Sequence, residues 1–216
     1  MTTFTDEAWA RVASIRAAID ELPFVTGLAD GSLPPDRFTY YLAQDAHYLD
    51  AYARVLAACA AQSTDAADLS FWAGGAQRAV AVEQALHGSH LAGTSPIERS
   101  PTCLGYSSYL TALAGRGSYA ALVAGVLPCF WIYQDLGTRL LGAAATRPHH
   151  PYAAWIATYA DPAFAAATEQ AKDITDALAA EASETVLEQM HTAFTTASRF
   201  ELLFWDAAWR TEQWPV

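Results

Sequence analysis

The chain has 216 residues, of which 53% are hydrophobic and 16% charged, enough apolar material for one sizeable core and too much for a disordered protein. Its formal net charge of −11 opposes contact with a phosphate backbone, so we expect no nucleic-acid partner. The apolar segments are interrupted before about 18 uncharged apolar residues, and no basic region precedes an apolar one at the N-terminus, so neither a membrane partner nor a signal peptide is predicted.

Apolar residues three and four positions apart recur along almost the whole chain, without the period of two that a strand requires. We therefore predict an all-α protein in which residues 1–216 form a single domain. A first helix is expected from about Asp6 to Leu22 with Thr5 as its N-cap. A turn from Asp30 to Pro35 then opens a longer helix that ends near Ala61.

The rest of the chain predicts further helices separated by glycine and proline. A loop is expected from Gly93 to Pro101, and the helix between Pro148 and Pro162 contains Trp155 and Tyr159. The other predicted helices are Ala66–Leu91, Gly105–Ala114, Tyr119–Leu141 and Ser183–Arg210.

A proline and a cysteine stand together inside the apolar helix predicted over Tyr119–Leu141. Pro128 lacks the main-chain donor that a helix needs, so we expect a kink or break next to Cys129, at a cost of about 3 kcal/mol. Tyr133, four residues further on, lies on the same helical face as the thiol. The pattern indicates a candidate site, whereas the alternative is a buried structural cysteine.

The three cysteines, Cys59, Cys103 and Cys129, are widely spaced and form no C-x-x-C pair. This spacing predicts reduced thiols in the cytoplasm and not a disulfide framework or a zinc site. The apolar content, with seven tryptophans, also favours a homo-oligomer built through helix-on-helix interfaces.

Asp45 interrupts the apolar face of the second long helix, in line with Leu42 and Leu49. A carboxylate on such a face must be paired or bound, because burying an unpaired charge costs several kcal/mol. Asp45 is therefore either half of an interhelical ion pair or an acceptor for a ligand. Tyr48, three residues on, would add an aromatic wall to a ligand site.

Glu201 lies in the apolar segment Phe200–Trp205 of the last predicted helix. Desolvation there would raise the pKa of its carboxyl toward the range of a general acid. The alternative is a solvated carboxylate or an ion pair with Arg199. Tyr106 and Tyr159 are single aromatic residues in apolar company, which alone is more typical of a core.

Two spacings of glutamate and histidine indicate a different chemistry. Glu83 and His87, and Glu188 and His191, each share a helical face, and such pairs build di-iron sites in helical bundles. A complete site would need further inward carboxylates, for which Asp45 and Glu201 are the obvious candidates. The adjacent residues 149 and 150, both histidines beside prolines, are expected to be solvated.

Several motifs occur in a distinctive order and separation, and through them the chain resembles the TenA/thiaminase II family over nearly its whole length. The resemblance implies a heme-oxygenase-like helical bundle, usually a homotetramer, with a pocket for an aminopyrimidine. The motifs are Gln44-Asp45-x-x-Tyr48-Leu49, Tyr106-x-x-Tyr109, Leu127-Pro128-Cys129-x-Trp131-x-Tyr133, Trp155-x-x-x-Tyr159 and Glu201-x-x-Phe204-Trp205.

The resemblance also implies roles for the matching positions. Cys129 would be the nucleophile that adds to the pyrimidine ring, and Glu201 would protonate the group leaving the exocyclic methylene and help to deliver water. Nearby phenols and a broken helical turn could favour the ionised thiol. Asp45 would accept hydrogen bonds from the amino-substituted ring edge. Tyr106 and Tyr133 would position the cysteine and the ring, Tyr159 would hydrogen-bond near Glu201, and Tyr48 and Phe204 would wall the pocket.

These inferences favour a cytoplasmic hydrolase, without metal or cofactor, that cleaves the bond from an aminopyrimidine methylene to nitrogen in thiamine degradation or salvage. Two departures from the family pattern, Ala160-Asp161 and Arg199-Phe200, bear on whether thiamine or aminomethylpyrimidine is preferred. A di-metal oxidase on the same fold and a non-catalytic pyrimidine-binding regulator are the alternatives. The net charge opposes direct DNA contact by such a regulator.

Overall fold

The computed structural model describes residues 2–89, 96–145, 147 and 149–215, and every regular element within these ranges is an α-helix. The all-α prediction is confirmed. The helices are α1 (Phe4–Arg11), α2 (Ala13–Asp20), α3 (Pro23–Asp30), α4 (Pro35–Gln62), α5 (Ala66–Ser89), α6 (Pro101–Gly115), α7 (Tyr119–Ala145), α8 (Ala153–Tyr159), α9 (Pro162–Ala180) and α10 (Glu184–Arg210).

The long helices α7 and α10 pack along each other at the centre of the bundle. Helices α5 and α6 pack on α4, while α8 and α9 pack on α7. Side chains of α7 from Leu122 to Leu127 are fully buried, which places this helix at the heart of the hydrophobic core. The face of α7 that carries Cys129 is thereby enclosed by neighbouring helices.

The length and composition of α7 meet those of a membrane span over Tyr119–Gly142, a feature that the sequence analysis did not credit. However, 72% of the apolar window is buried inside the bundle. A core helix in contact with several partners has the same composition as a membrane span, and the packing of α7 is that of a core helix.

The single helix predicted from Asp6 to Leu22 was wrong. The structure has α1 and α2 there, divided at Val12, and then α3, which the sequence analysis left out. Thr3, and not Thr5, caps α1 in a capping box with Asp6. Thr5 is unavailable as a cap because its hydroxyl and main-chain N–H both donate to the carboxylate of Asp176, at 2.8 Å each.

One further helix begins earlier than predicted, and another was not predicted. Helix α6 begins at Pro101 and not at Gly105, because Ser100 caps it by accepting from the N–H of Cys103 at 3.1 Å. Helix α9 was missed, although Asp161 caps it and Pro162 occupies its first position. The predicted loop from Gly93 begins outside the described residues.

Helix α7 continues through Pro128, so the predicted break is absent. A side chain from α4 contributes to this region, since the Tyr52 hydroxyl donates to the carbonyl of Val126 at 2.9 Å. The proline therefore lies inside the helix, directly before Cys129, without ending it. Ser183 caps α10 by accepting from the N–H of Val186.

Candidate active site

The candidate residues come from five helices that meet around the centre of α7. All are buried except Cys129 and Tyr159, which are partly buried. Helix α4 supplies Asp45 and Tyr48, α6 supplies Tyr106, α7 supplies Cys129 and Tyr133, α8 supplies Tyr159, and α10 supplies Glu201 and Phe204.

Glu201 is 1% exposed and accepts a hydrogen bond of 2.6 Å from the Tyr106 hydroxyl. Burial raises the pKa of its carboxyl to about 8, the Tyr106 bond opposes that rise, and the Asp45 charge adds to it. The desolvation prediction is confirmed. Arg199 is exposed and forms no ion pair with Glu201. Tyr106, rather than Tyr159, provides the hydrogen bond to this carboxyl.

Cys129 lies where burial raises the pKa of its thiol well above the ordinary value, and the Glu201 charge raises it further. The hydroxyls of Tyr48 and Tyr52 act in the opposite direction by favouring the thiolate. The phenols therefore favour the ionised thiol as expected, but the broken turn is absent because the helix is continuous, and desolvation is the largest effect. The resting group is therefore a thiol.

The phenol rings next to these two groups form a continuous stack. Tyr52 and Tyr48 stack with centroids 5.2 Å apart, and Tyr48 and Tyr106 lie 4.8 Å apart. Phe204 closes the side of the stack, 5.8 Å from Tyr48. The Tyr48 hydroxyl is buried and has no hydrogen-bond partner within the described residues. A buried hydroxyl without a partner costs free energy that a bound polar ligand could recover.

Asp45 is 5% exposed, and no lysine or arginine of the described ranges forms a salt bridge with it. Desolvation alone raises the pKa of this carboxyl to about 7. The ion-pair alternative therefore fails, and the structure leaves a buried carboxyl that can both accept and donate hydrogen bonds near neutral pH.

A second group of phenols lies beside Asp45. The Tyr41 hydroxyl donates to that of Tyr133 at 3.3 Å, and the Tyr133 and Tyr159 rings lie 4.8 Å apart. Tyr41 was missed by the sequence analysis, although its position four residues before Asp45 on the same helical face was a usable signal. Tyr159 packs here, between Tyr133 and Trp155.

His191 and Glu188, two residues of the di-metal alternative, do not join Asp45 and Glu201 at this site. His191 is buried on α10 with Nε2 3.8 Å from the Glu7 carboxylate, and its ring packs on Phe4 of α1. Glu188 is exposed, and the side chains of Glu83 and His87 lie outside the described residues. Among the side chains that the structure does describe, no group of three or more possible ligands could hold a metal ion.

The histidine pair in the loop before α8 also departs from expectation. His150 is 7% exposed, with Nε2 3.3 Å from the carbonyl oxygen of Ala29. Its Nδ1 accepts from the N–H of Tyr152 at 3.2 Å. Only His149 is exposed, so the prediction of a solvated pair was wrong for its second member.

The sequence of the chain matches the model of the TENA/THI-4/PQQC family over residues 9–211. The protein belongs to this family. It is 37% identical over 200 residues to the aminopyrimidine aminohydrolase of Bacillus subtilis, a match that covers 89% of this chain and 84% of that protein.

Solved structures show which fold this TENA/THI-4/PQQC family member shares. A TenA homologue from P. horikoshii OT3 superposes with a TM-score of 0.86 at 25% identity, covering 96% of this chain and 99% of that one. A domain from Shewanella denitrificans with a heme oxygenase-like fold superposes with a TM-score of 0.74 at 14% identity, covering 96% and 92%. The predicted heme-oxygenase-like bundle is confirmed.

Proposed function

We propose that the protein is an aminopyrimidine hydrolase of thiamine metabolism in which residues 1–216 form one catalytic domain. One observation carries the proposal: three reactive groups lie in one aromatic cluster. They are the thiol of Cys129, the unpaired carboxyl of Asp45, and the carboxyl of Glu201, whose pKa is about 8. The family membership and the activity named for the Bacillus subtilis relative point to the same chemistry.

In this proposal Asp45 recognises the ring edge. An aminopyrimidine presents an amino donor next to a ring nitrogen acceptor, and a carboxyl near its pKa can bind both, accepting with one oxygen and donating with the other. The pKa of about 7 for Asp45 makes the protonated form available at neutral pH. Tyr48 and Phe204 supply aromatic walls for the flat ring, and Tyr133 and Tyr159 bound the side nearest Asp45.

The proposed reaction begins when the sulfur of Cys129 bonds to a ring carbon and an electron pair moves onto a ring nitrogen. The thiol proton passes to that nitrogen with Asp45 as the group placed to transfer it. This sequence suits a site in which the resting cysteine is a thiol, because no stable thiolate is required. Tyr48 and Tyr52 favour the developing negative charge on sulfur.

Glu201 acts in the second half of the proposed reaction. With aminomethylpyrimidine, the ring electrons expel the amine from the exocyclic methylene, the C–N bond breaks, and the Glu201 proton passes to the leaving nitrogen. With thiamine, the thiazole leaves as a neutral ring that takes no proton, so Glu201 must be ionised before water adds. The resulting carboxylate takes a proton from water, whose oxygen bonds to the methylene carbon. The ring then expels sulfur and returns its proton to it. The net products are hydroxymethylpyrimidine with ammonia from aminomethylpyrimidine, or hydroxymethylpyrimidine with the neutral thiazole and one proton from thiamine.

The departures from the family pattern bear on the leaving group. Asp161 is held by the start of α9, where its carboxylate accepts from the N–H of Ala163 at 2.7 Å. Its side chain is therefore committed to a cap. We propose that the changed residues after Tyr159 alter the leaving-group side of the pocket through the backbone, and that they influence the choice between thiamine and aminomethylpyrimidine.

The deciding experiment incubates the purified protein with thiamine and, separately, with aminomethylpyrimidine, and measures hydroxymethylpyrimidine. Formation of this product from either substrate supports the proposal, and the ratio of kcat/KM values identifies the preferred one. Binding of a pyrimidine without turnover would contradict the enzyme and favour a ligand-binding regulator. Activity lost to a chelator and restored by iron or manganese would favour the di-metal alternative.

We also propose a cytoplasmic homotetramer that uses no metal or cofactor. The support for assembly is a set of exposed apolar side chains, including Leu69 and Val80 on α5 and Leu203 on α10. Light scattering on the purified protein measures the mass directly. A mass of one or two chains at micromolar concentration would contradict the tetramer.

A further inference from the structure

Phe200 on α10 lies flat against Tyr106 on α6. The two ring centroids are 5.2 Å apart and the planes differ by 5°. Because Tyr48 packs on Tyr106 from another direction, 4.8 Å away, the Tyr106 ring is confined between two aromatic neighbours. A phenol oxygen lies in the plane of its ring, so fixing the plane restricts where the Tyr106 hydroxyl can lie.

The same hydroxyl donates the 2.6 Å hydrogen bond to Glu201, the residue that follows Phe200 in sequence. Consecutive residues of a helix point about 100° apart. Helix α10 therefore holds Tyr106 in two ways, with the Phe200 ring against its face and the Glu201 carboxyl at its oxygen. Phe200 itself is only partly buried, unlike the fully buried rings of the core.

Gly105 is further evidence for the stack, because the Phe200 ring leaves little room for a side chain at position 105. A Cβ at this position would lie 3.3 Å from Cε1 of Phe200, tighter than an ordinary contact. Glycine inside a helix costs about 1 kcal/mol relative to alanine. The residue directly before Tyr106 therefore lacks a side chain where the Phe200 ring approaches α6.

We propose that Phe200 is a positioning residue that holds the Tyr106 ring so that its hydroxyl donates to Glu201. This inference rests on the proposed function for its catalytic meaning. Phe200 does not contact the reacting atoms, and its effect passes through Tyr106. Removing the ring while keeping an apolar side chain frees one face of Tyr106 and lengthens or breaks the hydrogen bond.

The direction of the effect follows from the groups that bear on Glu201. The Tyr106 bond lowers the pKa of this carboxyl, whereas burial and the charge of Asp45 raise it. Loss of the bond therefore moves the Glu201 titration to higher pH. Titratable groups of the described chain that interact with Glu201 come from four other helices and are Asp45, Tyr48, Tyr52, Tyr106, Cys129, Tyr133 and Tyr159.

The test is an infrared titration of the protonated carboxyl band of Glu201, assigned by its disappearance in Glu201→Gln. It compares the parent with Phe200→Leu and Phe200→Met, which both replace the flat ring by an apolar side chain, of different shape in each variant. Phe200→Tyr, which keeps the ring, is measured alongside them. Tyr106→Phe gives the shift for complete loss of the bond. Val186→Ala is the matched control, a truncation of another partly buried apolar residue on α10.

We expect the titration midpoint to rise in Phe200→Leu and Phe200→Met in the direction set by Tyr106→Phe, by up to about one pH unit. Phe200→Tyr and Val186→Ala should keep the parent midpoint. If Phe200→Leu and Phe200→Met lower the melting temperature but leave the Glu201 titration midpoint at its parent value, the proposal is overturned and Phe200 is a packing residue. The band is measured without substrate, so a parent that hydrolyses neither substrate would defeat the proposed function while leaving this result readable.

Discussion

The Tyr106 hydroxyl donates to Oε1 of Glu201 across 2.6 Å, and the two residues are 95 positions apart in sequence. The bond joins α6 to α10 at the point where a buried carboxyl has a pKa of about 8. A carboxyl with this pKa is mostly protonated at neutral pH, which is the form that a general acid needs. The phenol therefore stabilises the anion that remains after the proton is transferred, without preventing protonation beforehand.

The first prediction concerns pH. We expect kcat/KM for hydrolysis of aminomethylpyrimidine, whose leaving amine needs a proton, to fall as the pH rises through about 8, because the active form of Glu201 in the free protein is the protonated acid. Glu201→Gln cannot transfer a proton and should lower kcat by about 100-fold or more, with little change in KM. The measurement is a pH series of initial rates for the parent and the variant.

Glu188→Gln is the matched control, since it makes the same exchange at an exposed position of the same helix. Its pH profile should coincide with that of the parent. A Glu201→Gln variant whose defect is confined to weaker substrate binding would contradict the role of Glu201 in proton transfer.

The second prediction concerns the thiol. Cys129→Ser should abolish measurable turnover and leave the melting temperature nearly unchanged, because a hydroxyl is a far poorer nucleophile and the change in volume is small. Cys59→Ala, at a buried position far along α4, should retain activity. A serine variant with parental kcat would remove Cys129 from the mechanism.

The alkylation of the three thiols provides a separate measurement. Cys129 is partly exposed, whereas Cys59 and Cys103 are fully buried with pKa values that burial raises to about 12. Iodoacetamide should therefore react first at Cys129, located by peptide mass spectrometry. Because burial also raises the pKa of the Cys129 thiol, its reaction should accelerate as the pH increases from 7 to 9. Equal rates at all three thiols would contradict this assignment.

The sequence was sufficient to predict the class of fold and to identify Asp45 and Glu201 as carboxyls in apolar surroundings, although it left a solvated Glu201 as an alternative. Asp45 and Glu201 are flanked by apolar residues at helical spacing, and that local pattern indicates desolvation, which the structure then confirms. The motif order added Cys129 and the surrounding tyrosines. The sequence could predict which residues belong to the site, because each of them stands in a motif only a few residues long.

The errors arose where distant residues decide the outcome. Thr5 is a good N-cap in isolation, but its side chain binds Asp176, 171 residues away, and Thr3 caps the helix in its place. The protonation of Cys129 depends on enclosure by helices whose packing no local pattern specifies. The stacking of Phe200 on Tyr106 is likewise a contact between two helices, visible in the sequence only as an unexplained Gly105.

The third prediction is that the ligand-free protein loses stability as the pH rises. Asp45 and Glu201 have folded-state pKa values of about 7 and about 8, above their ordinary values of 3.8 and 4.5. The folded protein therefore binds more protons than the unfolded chain between these limits. Their contribution to stability is complete below pH 3.8 and is lost progressively up to about pH 8. Urea unfolding at pH 5.5 and 8.5 should give the higher free energy of unfolding at pH 5.5. A higher free energy of unfolding at pH 8.5 in the parent would contradict the prediction. The same order in a variant that lacks both carboxyls would not, because the two groups are then absent.

The last prediction concerns Asp45→Asn. The amide can still accept from the amino group of a pyrimidine, but it carries no charge and cannot transfer a proton to the ring, so affinity should weaken by about 2–4 kcal/mol. Stability should stay level or increase above pH 7, where the parent carries a desolvated anion that no described cation neutralises. Asp50→Asn is the control on the same helix, because Asp50 is exposed and pairs with Arg54. Pyrimidine affinity by calorimetry and melting temperature should be measured on the same samples at pH 8. Unchanged affinity combined with a large fall in melting temperature in Asp45→Asn alone would make Asp45 a structural residue, because only the loss of a structural partner leaves the rest of the core destabilised while the ligand is unaffected.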